Sequence, residues 1–211
     1  DKTIRYKLSV ASEGMLDSCM PDTIQLDKIR EISGRNWASQ NLLSKLLDCD
    51  STCIGKSTAL DDYEKLMDVL DKSDNGLAYQ YVLKAPWSSS GRGLRYVDLQ
   101  NEGINEHLQG WIKNVIRKQG QVMIEPYYNK IRDFGMEFTA HKNGEIEYLG
   151  LSVFSTSNGA YMGNILAPED EKEELLSRYI NPEILVEIRK TIALIMNGKL
   201  KGIYSGPFGI D

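Results

Sequence analysis

Thiols, imidazoles and positive charge are all scarce in this sequence, and each shortage removes a class of function. There are three cysteines, Cys19, Cys49 and Cys53, among 211 residues. A small odd number does not build a disulfide framework; it predicts free thiols and a reducing, cytoplasmic setting. Cys49 and Cys53 lack a nearby cysteine or histidine to complete a zinc-binding spacing. The two histidines, His107 and His141, fall on a predicted helix and a predicted strand. Neither has a serine, cysteine or metal-ligating partner at a useful spacing, so triad and metal-hydrolase chemistry find no support. No apolar run approaches the roughly 20 residues of a membrane span, and no basic-then-apolar signal opens the chain. Lysine and arginine number 25 against 30 acids, a net charge of −5, with a pI near 5.2. A nucleic-acid platform needs a basic face, so that partner is excluded. One anionic ligand in a local pocket is not.

What remains is ordinary globular material, 41% hydrophobic and 26% charged, long enough for one large domain or two small lobes with a real core. The first residue is Asp1 rather than methionine, and the chain reads as a piece of a longer protein. Its oligomeric state is not legible.

Residues 1–33 show few period signals. Residues 36–47 place Trp37, Leu42, Leu43, Leu46 and Leu47 at near-helical spacing. A second helix is predicted at 58–71, capped by Thr58 with Asp61 three residues on. Residues 78–84 and 94–98 read as strands, and Ile104 to Ile116 as an amphipathic helix. A strand follows at 121–125. Residues 134–141 alternate, with Phe134, Met136, Phe138 and Ala140 on one face and Gly135, Glu137, Thr139 and His141 on the other. Asn143-Gly144 marks a hairpin turn into a return strand at 145–154. Residues 155–168 read as a polar loop, 169–179 as a helix, and Asn181-Pro182 opens another helix ended by Gly198. The final strand signal is 202–211.

The segment richest in chemistry runs from Tyr81 to Val97: a strand ending at Lys84, the loop Ser88, Ser89, Ser90, Gly91, Arg92, Gly93, then a second strand. Small residues let backbone N–H groups approach a polyphosphate, and a strand-end lysine fixes a positive charge beside it. A Walker loop is excluded, because the G-x-x-x-x-G-K-[ST] order is absent and a strand follows. On composition alone a hairpin with a flexible tip fits equally well.

The order Lys84-Ala85, Ser88 to Ser90, Gly91-Arg92-Gly93, Leu94-Arg95 resembles the nucleotide loop of the ATP-grasp superfamily, in its biotin carboxylase-like members. Three serines stand where many members carry glycines. Val122 to Tyr128 resembles the family's interlobe hinge. There the resemblance implies adenine amino-group contacts at Glu125 and the Pro126 carbonyl, a ring-nitrogen contact at the Tyr128 N–H, and Tyr127 between them. Asp133 falls where members place a polar group near the ribose. Gly206 to Asp211 resembles the strand that delivers a magnesium-binding acid, here Asp211. Some amino-acid ligases carry arginine two residues earlier; this chain has Gly209. Tyr161 and Asn164 fall where members fold a loop over the reacting groups, and Arg35 where a second phosphate cation is found. A polar surface loop and a surface arginine fit those residues too.

The resemblance covers about residues 35 to 211. It implies an α+β fold in which two lobes with antiparallel sheets grip the nucleotide, with residues 1–53 as an N-terminal helical segment, 54–126 as the small lobe and 127–211 as the large lobe, incomplete at its C-terminal end. It implies ATP and Mg²⁺ as cofactors, Lys84 and Arg92 as catalytic cations, and small-molecule carboxylate and amine partners. The implied reaction is a ligation: ATP activates a carboxylate as an acyl phosphate that an amine or other nucleophile attacks. An ATP-binding module without catalysis and an ATP-grasp phosphotransferase remain alternatives.

Overall fold

The computed structural model describes residues 1–72, 80–89, 91–157 and 159–211. Its framework is two four-stranded antiparallel sheets, each backed by helices on one face. The first sheet has the order β1-β4-β2-β3, built from β1 (Thr58–Leu60), β2 (Gln80–Lys84), β3 (Leu94–Asp98) and β4 (Val122–Pro126). The second has the order β7-β6-β5-β8, from β5 (Asp133–Ala140), β6 (Ile146–Ser157), β7 (Ala160–Asn164) and β8 (Gly206–Ile210).

Each sheet buries one face in its own core, which is what period-2 alternation requires. Tyr81 and Leu83 on β2 and Val97 on β3 pack with Leu66 and Leu70 of α5 (Tyr63–Lys72). Leu108, Ile112 and Val115 of α6 (Glu106–Gln119) complete that core. α6 begins where Asn105 accepts from the Leu108 amide and ends at Gly120, whose φ of 82° lets the chain turn off the helix. On the other sheet Met136, Phe138 and Ala140 face Leu176 of α7 (Glu169–Ser177) and Leu185, Ile192 and Met196 of α8 (Pro182–Met196). Phe138 is fully buried, stacked on Phe208 and edge-on to Tyr148. The Asn143-Gly144 turn lies between β5 and β6, with Gly144 at φ 97° and the His141 amide closing onto the Glu145 carbonyl at 2.8 Å.

Several expectations need correction. The N-terminal stretch carries two helices, α1 (Lys2–Ala11) and α2 (Thr23–Ile32). Neither buries a residue completely, so neither leaves a strong apolar period. α2 owes its start to a capping box between Asp22 and Gln25. Residues 35–47 are helical, but as α3 (Arg35–Ala38), a π-helical turn at Ser39–Leu43 and α4 (Ser44–Leu47). Trp37 and Leu42 from this stretch join the second core. Thr58 does not cap a helix: Thr58–Leu60 is strand β1, paired with β4, and the helix starts only at Tyr63. Strand pairing to partners 62 to 66 positions away outweighs the local capping signal. Residues 155–168 are not all loop, because β6 continues to Ser157 and β7 returns alongside it. Residues 78 and 79 of the expected strand lie outside the described residues.

Candidate functional site

The unburied faces of the two sheets carry the polar residues singled out above. On β2, Leu83 points into the core, so Lys84 emerges on the opposite face. On β4, Glu125 pairs with Val82, one step along the same face. The two are diagonal neighbours, a separation that long side chains bridge. Lys84 Nζ lies 2.5 Å from Glu125 Oε2, with the side chains 28% and 21% exposed. Ser57 donates to the other carboxylate oxygen, Oε1, at 2.9 Å.

Arg35 approaches from α3. Its Nη1 donates to the Ala85 carbonyl at 2.7 Å and to Ser88 Oγ at 3.0 Å, at the point where β2 gives way to the loop. Burial lowers the proton affinity of its guanidinium, and the carboxylates of Asp211 and Glu125 push it back up. Arg35 therefore feels an acid from each sheet.

The loop itself is a closed hairpin end. The Ala85 amide donates to the Gly93 carbonyl at 2.8 Å, and the Leu94 amide to the Gly91 carbonyl at 3.1 Å. Arg92 reaches back to Ser89 Oγ at 3.2 Å. Ser88 packs so closely on Gly93 that a Cβ at Gly93 would meet Ser88 Oγ at 2.1 Å. Gly91 sits at φ 71°, and a Cβ there would lie 2.4 Å from the Gly159 carbonyl oxygen, between β6 and β7 of the other sheet. Only glycine permits both that conformation and that approach. Ser90 lies outside the described residues.

Beyond β4 the chain passes to the second sheet. The Tyr127 amide donates to the Gln80 carbonyl at 2.9 Å, and the Tyr127 ring meets Tyr96 edge-on at 5.9 Å. Tyr127 and Tyr128 are both exposed. Asp133 is held by Lys130 Nζ at 2.5 Å and by the Thr156 hydroxyl at 2.8 Å. Its neighbours on that face follow from register. Met136 pairs with Ile210 on the buried face, and Glu137 with Gly209 on the open one. A Cβ at Gly135 would meet Asp211 Cβ at 3.2 Å, and one at Gly209 would meet Glu137 Oε2 at 2.8 Å. Gly135, Glu137, Gly209 and Asp211 thus share the open face. Asn164 donates to Ser152 Oγ at 2.9 Å on the same sheet, and Tyr161 lies 6.1 Å from Phe154.

Lys84 and Glu125 are therefore brought together, as are Arg35 and Ser88, with Asp211 acting on Arg35 through its charge, while Arg92, Tyr128 and Tyr161 enter none of these contacts. Neither Ser57 nor Glu137 was expected in the site from the sequence. Glu137 was legible as one of the alternating residues opposite Met136 and Phe138. Ser57 had no local signal, because its partner is 68 residues away.

No protein-family model matches this chain, and no curated protein does either. Solved structures do. The biotin carboxylase domain of 2-oxoglutarate carboxylase from Hydrogenobacter thermophilus, solved with MgADP, ADP and bicarbonate, matches with a TM-score of 0.54 at 15% identity, over 87% of this chain and 37% of that one. N5-carboxyaminoimidazole synthetase from Staphylococcus aureus, complexed with ADP, matches at 0.47 and 17% identity, over 77% of this chain and 38% of that one. D-alanyl-alanine synthetase A from Vibrio cholerae matches at 0.46 and 16% identity, over 76% and 48%. The class defined by two facing antiparallel sheets with helical backs is α+β. Its particular architecture is the ATP-grasp fold. The chain spans 37% to 48% of the length of these three structures.

Proposed function

We propose that this chain binds ATP between its two sheets as part of an ATP-grasp ligase. The observation that carries this reading is the gathering of Lys84, Arg35 and the base of the Ser88–Gly93 loop at one end of the first sheet, with Gly91 resting against Gly159 of the second. Two cations beside backbone amides and small residues suit a polyphosphate. Residues 54–126 form the small lobe in this reading and 127–211 the large one. Glu125, the Pro126 carbonyl and the Tyr127-Tyr128 backbone meet the adenine edge, and Asp133 lies toward the ribose. Ser88, Ser89, Ser90, Gly91 and Gly93 enclose the phosphates, with Lys84 and Arg92 as the cations of the reacting end.

The reaction is carboxylate activation. A carboxylate oxygen attacks the γ-phosphorus, ADP leaves, and an amine nitrogen then displaces phosphate from the acyl phosphate. Lys84 and the loop amides hold the β- and γ-oxygens in line while charge moves to the leaving group, so positioning and electrostatics supply the acceleration. Among the described residues no group of three or more His, Cys, Asp or Glu side chains clusters as a metal site. That suits Mg²⁺, which takes one or two carboxylates and completes its shell with phosphate and water oxygens. Asp211 is the carboxylate assigned to it in this reading, and the bound ion would neutralise phosphate charge.

The alternative reading is that these residues bind nucleotide without turnover. Coupled ADP release with a panel of carboxylates and amines separates the two. Sustained release requiring both substrates establishes the ligase; binding by calorimetry without release leaves the binding module. ATP is expected to bind in preference to GTP, and equal affinity would remove the adenine assignment.

A further inference from the structure

Four hydrogen bonds tie the base of the Ser88–Gly93 loop to a segment that belongs to neither sheet. The Arg35 amide donates to the Pro86 carbonyl at 3.1 Å, and Arg35 Nη1 reaches both Ala85 and Ser88. Next to it, the Trp87 indole N–H donates to the Arg30 carbonyl at 2.7 Å. The Arg30 guanidinium covers the indole at 4.1 Å, and Gly34 lies flat against it, where a Cβ would come within 3.1 Å of the ring. The Trp87 amide in turn donates to Gln119 Oε1 at the end of α6, at 2.9 Å. Residues 85–88 are thus pinned from two directions.

From this geometry we infer that Trp87 is a positioning residue for the phosphate grip. Its ring is held by Arg30 and Gly34, neither of which is assigned to the nucleotide. It anchors the turn that aims Ser88 and the following amides, using the end of α2 as a fixed post. A loop amide must be ordered before it holds a phosphate oxygen, and each residue left to order on binding costs affinity. The indole does that ordering in advance. Arg30 is the lid on the indole, and Gly34 is the floor that only a missing side chain leaves open.

The inference rests on the nucleotide reading above, and the test separates the two. Wild type, Trp87→Phe and Arg30→Ala are compared by calorimetry with Mg-ATP and with adenosine, and by amide hydrogen exchange without ligand. Trp87→Phe keeps an aromatic ring in the slot and deletes the indole donor; Arg30→Ala is a surface change that removes the lid. Trp87→Phe is expected to weaken Mg-ATP about tenfold, about 1.4 kcal/mol, to leave adenosine unchanged, and to speed exchange at Ser89 and Gly91 to Gly93. Arg30→Ala is expected to do the same more weakly. Unchanged exchange and unchanged Mg-ATP affinity in Trp87→Phe overturn the inference, as does a parallel loss of Mg-ATP and adenosine, which marks a structural role only. If wild type binds neither ligand, the nucleotide reading falls, and the exchange rates alone still decide whether Trp87 anchors the loop.

Discussion

Lys84 and Glu125 stand on neighbouring antiparallel strands, offset by two positions, and their charged ends meet at 2.5 Å on the open face of the first sheet. In the proposed site they serve different parts of one ligand, Lys84 the phosphates and Glu125 the adenine edge. Without ligand each satisfies the other, which keeps two partly buried charges from standing alone. Nucleotide binding then exchanges one set of partners for another.

Lys84→Ala is expected to weaken ATP by about 1.5–3 kcal/mol, the range of a hydrogen bond to a charged group. Adenosine, which lacks phosphates, is expected to change little. The difference between the two titrations removes any general effect of leaving Glu125 without its partner. Equal losses for both ligands would remove Lys84 from the phosphate site.

Asp211→Asn is expected to reduce the Mg²⁺ dependence of ATP binding while leaving the fold intact, since Asp211 is exposed and follows the last strand. Titration of ATP at several Mg²⁺ concentrations checks this. Identical Mg²⁺ dependence in both proteins would place the ion elsewhere.

Gly91→Ala is expected to part the loop from the other sheet. A Cβ there meets the Gly159 carbonyl at 2.4 Å, and the φ of 71° is itself costly for a side chain, about 1–2 kcal/mol. Gly103→Ala is the matched control, with φ 61° and nothing within 4 Å of the added Cβ. Limited proteolysis in the loop should accelerate for Gly91→Ala and not for Gly103→Ala. The same rate in both would show that backbone strain alone is responsible.

Asp98 is held down to about 2 by hydrogen bonds from Gln80, then from the Asn101 side chain and amide. A carboxyl depressed by folding stabilises above its unfolded pKa, about 4, and loses that contribution as pH falls toward 2. Asp98→Asn should therefore be less stable than wild type at neutral pH, with the difference closing between about pH 4 and pH 2. Thermal melts across that window test it; a gap that persists at pH 2 would mean the aspartate acts through shape rather than charge.

Most strands and the two long helices, α6 and α8, were readable because burial on one face imposes a period. Met136, Phe138 and Ala140 bury against α8, and that fact also assigns Glu137 to the open face. β1 and β7 were not readable in the same way. Thr58–Leu60 is three residues long and gains its hydrogen bonds from β4, and β7 is an exposed edge strand whose residues carry no buried alternation. The first two helices were missed for the complementary reason, that they bury too little to be periodic.

The sequence by itself determined the strand-end lysine, the small-residue loop and the alternation that puts Asp211 at the close of a strand, because these depend on neighbours within a few residues. Only the tertiary structure decided that Arg35 bonds Ala85 and Ser88, that Ser57 holds Glu125, and that Gly91 rests on Gly159. Those contacts join residues 50 to 68 positions apart. Their formation depends on how two independently buried cores bring their open faces together, and no local pattern in the chain encodes that approach.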